Sequence, residues 1–93
     1  MARAADLVGD TCSLLIVRDL LVAPRRFGEI EESLKGISTR TITLKLKNLE
    51  AQQLIMRQES KRGPIKVVYA LTPKGKALRP LVTAMRKYGE AYL

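Results

Sequence analysis

The 93-residue sequence predicts a mainly α fold with one small β-hairpin, and three observations lead there. Apolar residues recur at helical spacing over 10–22, 25–34, 38–54 and 73–92. Two short runs rich in strand-forming residues, 55–60 and 65–71, flank Lys61-Arg62-Gly63-Pro64, which supplies turn chemistry. The two middle helices are separated only by a Lys35-Gly36 turn signal, so residues 25–53 form a helix-turn-helix. A hairpin directly after such a pair is a wing. Residues 1–93 therefore read as a single winged helix-turn-helix domain with its wing at 55–71.

In chain order, residues 2–8 read as a short helical turn ended near Gly9. Asp10 or Thr11 then caps a helix over 10–22. Cys12, Leu15, Ile16 and Leu20 keep helical spacing there, and Leu14, Val17 and Leu21 widen the stripe almost all round. A helix so apolar is covered on more than one side, which in a small domain calls for a second subunit. Pro24 ends it, since proline disfavours helical geometry in the preceding residue. The next helix, 25–34, carries Phe27, Ile30 and Leu34 on one side and its glutamates outward.

Ser38 is a good N-cap for the third helix, although no Glu or Gln stands at the third helical position to complete a capping box. Ile42, Leu46 and Leu49 make its apolar back, while Arg40, Leu44 and Lys47 fall opposite. Thr39, Thr41, Thr43 and Lys45 occupy the flanks and first turns, and no acidic residue lies between Ser38 and Asn48. In the wing, Val67, Tyr69 and Leu71 alternate onto one face, with Lys61, Arg62 and Lys66 near the tip over 60–66. Thr72 caps the last helix, 73–92, with Pro73 in the first turn. Its stripe of Leu78, Leu81, Val82, Met85, Tyr88 and Tyr92 exceeds what one small core needs. The residues offered to a second copy are Leu14, Val17, Leu21, Leu81, Met85, Tyr88 and Tyr92.

Charge placement narrows the function. Residues 1–34 carry a net −2, whereas residues 35–93 carry +10, so the later part of the chain suits a polyanionic partner. A helix with an apolar back, a cationic hydroxyl-rich front and a tight turn before it suits the major groove of double-stranded DNA, and Thr43 and Leu44 are counted among its DNA-facing residues with Arg40 and Lys47. The alternative for the same helix is a solvated surface. Without histidine and with one cysteine, neither a usual zinc finger nor thiol–imidazole or serine–histidine catalysis can be built, and no enzyme is expected. No cofactor, metal or small-molecule effector is indicated. No apolar run is long enough for a membrane span and no signal-peptide pattern opens the chain. The lone Cys12 fits a reducing cytoplasm and reads as packing rather than as a reactive thiol.

The stretches LLIVRDLL (14–21), PRRFGEIEESLKGIS (24–38), ITLKLKNLEAQQLI (42–55) and VVYALTPKGKAL (67–78), followed by an apolar last helix, resemble the HxlR-type winged-helix regulators of the MarR-like group. The resemblance implies a homodimer binding operator DNA, joined through its terminal helices, with the helix from Ser38 in the major groove. It assigns DNA contact to Ser38, Thr39, Arg40, Thr41, Lys45 and Lys47, and to Lys61, Arg62 and Lys66 of the wing. The chain departs from the pattern at Cys12, where Trp is usual, at Leu44, where a polar residue is common, and at Gln53, where glycine ends the helix. Gln53 is therefore expected to leave that helix without its left-handed terminator. Cys12 does not align with the redox-active cysteine that some members carry, so no sensing role transfers. From the residues alone, a protein-docking winged helix or a basic nucleic-acid binder without sequence preference stays open.

Overall fold

The structure, a computed structural model, describes residues 11–60 and 66–92. The helical turn at 2–8, the cap at Asp10, the wing-tip residues Lys61 and Arg62, and the side chain of Tyr92 lie outside the described residues. The elements run α1 (Thr11–Val22), α2 (Phe27–Ser33), α3 (Thr39–Ala51), β1 (Ile55–Ser60), β2 (Lys66–Leu71), α4 (Pro73–Lys76) and α5 (Arg79–Tyr92).

The apolar circumference of α1 makes it the central element. It packs against α2, α3, β2 and α5 and contributes Leu14, Ile16, Val17 and Leu20 to the core. Most of its apolar surface is thus covered by its own chain, which corrects part of the sequence reading. Val17, expected at a subunit interface, is 0% exposed, and Leu14 retains little surface. The rest of the core comes from Ile30 and Leu34 of the α2 region, Ile42, Leu46 and Leu49 of α3, and Leu54, Ile55 and Leu71 where the hairpin begins and ends.

Helix α2 starts later than its apolar pattern because Arg25 is held in extended backbone. The Arg25 and Tyr69 main chains exchange hydrogen bonds of 3.0 and 2.7 Å, an antiparallel bridge on the free edge of β2. Arg26 then caps the helix, its N–H donating to Glu29 Oε1 at 2.9 Å. At the far end the Leu34 N–H reaches the carbonyls of Ile30 and Glu31, and Gly36 turns the chain with φ of 98°, a left-handed value that glycine adopts freely.

Helix α3 ends in a full Schellman motif. The Gln53 N–H bonds Glu50 O at 2.9 Å and the Leu54 N–H bonds Leu49 O at 3.0 Å, with Leu49 and Leu54 both buried. Gln53 supplies the left-handed residue itself, at φ of 61°. The expectation that the terminator is lost is therefore overturned: the two hydrogen bonds and the buried leucines hold glutamine where glycine would sit without strain.

Strands β1 and β2 pair antiparallel from Ile55↔Leu71 to Ser60↔Lys66. Burial along β2 does not follow the expected alternation. Val67, Val68 and Tyr69 are all half-buried, and Ala70 and Leu71 are both buried. Helices α1, α2 and α4 pack against this strand, so depth into the core decides burial rather than face.

The last helix, expected as one piece over 73–92, is two. Thr72 caps α4 as read from the sequence, accepting from the Gly75 N–H at 3.1 Å, but the helix stops at Lys76. A continuous helix would place Pro80 in its interior, where the ring meets the carbonyl four residues back. Instead the chain restarts, with the Leu78 carbonyl accepting from the Val82 N–H at 3.0 Å and Pro80 in the first turn of α5.

Candidate nucleic-acid interface

The outward side of α3 is set by what its other side buries. With Ile42, Leu46 and Leu49 fixed in the core, Arg40, Thr41, Leu44, Lys47 and Asn48 are exposed, and Arg40 and Lys47 make no hydrogen bond or ion pair among the described residues. Lys45 and Thr43 are half-buried on the flanks. Asn48 was not singled out from the sequence. Its position one turn beyond Leu44 is the signal that could have found it.

The hydroxyls at the start of α3 are mutually engaged. Ser38 Oγ accepts from the Thr41 N–H at 3.1 Å and donates to Thr41 Oγ1 at 2.9 Å. Thr41 therefore engages the Ser38 hydroxyl, rather than its backbone N–H as a capping-box residue would, and keeps its own proton for an outside acceptor. Thr39 donates to Glu31 Oε2 at 2.6 Å, tying α3 to α2 across the turn. Glu31, expected to face outward with the other glutamates, is half-buried by this bond. Thr43 donates back to the Thr39 carbonyl at 2.9 Å. Ser38, Thr39 and Thr43 thus fix the helix start, while Arg40, Thr41, Leu44 and Lys47 present it.

Lys66 is exposed at the start of β2, on the hairpin that leaves the end of α3. The base of that hairpin is stitched to α3: Thr72 Oγ1 donates to the Gln53 carbonyl at 2.6 Å, and Lys74 Nζ donates to the Gln52 carbonyl at 3.0 Å. A Cβ on Gly75 would overlap the Leu54 carbonyl, so only glycine lets α4 lie this close. Thr72, Lys74 and Gly75 therefore fix the wing relative to α3.

A separate open groove of about 480 Å³ runs between α1 and α5. Leu14, Leu21, Val22, Val82 and Met85 line it, with Arg18, Arg79 and Arg86 among its polar lining. One Arg79 Nη donates to the Leu21 carbonyl at 3.3 Å, joining the two helices at one end. Of the residues expected to meet a second copy, Leu14, Leu21 and Met85 line this groove, Leu81 is half-buried, and Tyr88 is exposed beyond it. Cys12 is half-buried against the core. Among the described residues there is no cluster of His, Cys, Asp and Glu able to hold a metal, and no helix is long and apolar enough to cross a membrane.

A helix-turn-helix whose second helix is backed by core and fronted by cations, followed by a stitched two-stranded hairpin, defines a winged helix-turn-helix protein. The chain belongs to the HxlR-like helix-turn-helix family, whose model matches residues 7–93. It is 38% identical over 91 residues to an uncharacterized HTH-type transcriptional regulator of Synechocystis sp., covering 98% of this chain and 67% of that protein. It is 35% identical over 92 residues to the HTH-type transcriptional regulator YodB of Bacillus subtilis, covering 99% and 82%. The structure of reduced YodB superposes with a TM-score of 0.85 over 96% of this chain and 87% of that one. A MarR-family regulator from Porphyromonas gingivalis superposes with a TM-score of 0.87 at 28% identity, over 97% and 88%.

Proposed function

We propose that the protein is a cytoplasmic transcriptional regulator that binds a double-stranded DNA operator as a homodimer. In this reading α3 enters the major groove, and residues 60–66 of the wing meet the flanking backbone or minor groove. The observation that carries it is the outward face of α3, where Arg40 and Lys47 stand exposed with no intramolecular partner among the described residues. Arginine there offers a bidentate donor pair to guanine, and the threonine hydroxyl and wing lysine suit phosphate. The description of its relatives as HTH-type transcriptional regulators supports the same reading. Its work is recognition rather than catalysis.

The test is a salt titration against duplex DNA, with selected and random duplexes compared. Each phosphate contact contributes about −0.9 to the slope of log K against log salt. A dimer using several cations per subunit is expected to show a slope of several units and to favour the selected duplex. Affinity that is flat with salt would instead favour a protein-docking role, and equal affinity for all duplexes a non-specific one.

A further inference from the structure

Leu44 stands between Arg40 and Lys47 on the outward stripe of α3 and is 53% exposed, outside the core formed by the described residues. It adds nothing to the core, and an apolar side chain offers no hydrogen bond to a phosphate. What it can meet follows from the DNA-binding reading, on which this inference rests. Along the helix axis Leu44 lies about 6 Å from Arg40 and about 4.5 Å from Lys47. When Arg40 and Lys47 engage a major groove, Leu44 is pressed against base edges and both sides lose water. The guanine, adenine and cytosine edges there carry N7, O6 and amino groups, which leucine would leave desolvated and unpaired. Thymine alone presents a methyl group at that edge.

We infer that Leu44 is a specificity residue that reads the C5-methyl group of a thymine, about two base pairs from the base or phosphate met by Arg40. The contact is apolar against apolar, so it discriminates by what it excludes as well as by what it attracts. The same chemistry accepts 5-methylcytosine in place of thymine more readily than unmethylated cytosine.

The experiment uses the full chain and a duplex selected by it from a random library. Each thymine is replaced singly by deoxyuridine, which lacks only the methyl group. At one thymine per half-site, affinity is expected to fall about fourfold, the effect of withdrawing one buried methyl. In Leu44→Ala, a surface change to a strong helix former, the same replacement should make no difference. Installing 5-methylcytosine at a cytosine placed there should recover affinity in the native chain only. If no thymine shows methyl dependence, or if the dependence persists undiminished in Leu44→Ala, the assignment is overturned while DNA binding stands. If the chain selects no duplex at all, the DNA-binding reading falls and takes the assignment with it.

Discussion

Gln53 holds a left-handed backbone that favours glycine, at φ of 61°, and it does so because its neighbours leave no alternative. Its N–H and that of Leu54 satisfy two carbonyls at the end of α3, and its own carbonyl accepts from Thr72 at 2.6 Å. A non-glycine residue in this region costs about 1–2 kcal/mol. Glycine would remove that strain but widen the unfolded ensemble, returning about 0.4–1 kcal/mol of the gain. Gln53→Gly is therefore expected to stabilise the fold by about 0.5–1 kcal/mol, read as a higher urea midpoint with an unchanged m-value. No rise in midpoint would mean that the glutamine side chain makes up the difference by packing. The outcome at this position was not legible in the sequence. Residue type reports what a backbone conformation costs, whereas hydrogen bonds from 19 residues away decide whether it is adopted.

At the scale of elements, the corner joining α3, the wing and α4 carries the functional geometry. Thr72 does three things there: it caps Gly75 at 3.1 Å, bonds the Gln53 carbonyl at 2.6 Å and approaches the Leu54 carbonyl at 3.2 Å. Thr72→Val keeps the shape and removes the hydroxyl. The loss of a cap and of a hydrogen bond to the Gln53 carbonyl should cost about 1–2 kcal/mol. Chemical denaturation measures this; a change below a few tenths would show that the corner is held by packing alone. The sequence announced Thr72 as a cap, because Thr-Pro at a helix start is a local signal. It did not announce the bonds back to residues 53 and 54, which depend on tertiary placement.

The same distinction governs the other elements. The apolar back of α3 follows from short-range periodicity, and the two strands from the turn residues between them, so the existence of these elements was legible although the alternation along β2 was not. The Arg25–Tyr69 bridge, which delays α2, joins segments far apart in sequence and was not. The division of the last helix was foreshadowed by Pro80, but an otherwise unbroken apolar stripe concealed it. For the candidate site, the outward position of Arg40, Leu44 and Lys47 came directly from helical spacing. The engagement of Thr39 with Glu31 did not, because it needs the angle between two helices.

For the whole molecule, further exposed apolar surface lies on α1 and α5. Val22 is 75% exposed, Tyr88 61% and Met85 39%, and Met85 and Val22 border the groove between α1 and α5. Apolar side chains exposed around a groove are a candidate interaction surface. A second copy set across it as a two-fold dimer would bury the same surface on both subunits and carry two α3 helices to two half-sites. The interface then rests on the rim and floor of the groove rather than on Val17, which the chain already buries. Met85→Asp places a charge where that contact would be desolvated. An interface residue of this type is worth about 2 kcal/mol or more, so dimer dissociation should strengthen roughly thirtyfold. Operator affinity should fall with it, since each subunit alone engages one half-site, while the fold of the monomer is kept because Met85 lies outside the core. Sedimentation velocity across a concentration series, paired with duplex titration, reads both effects. A native chain that sediments as a monomer at micromolar concentration would defeat the dimer, and a Met85→Asp chain that dimerises normally would move its interface elsewhere.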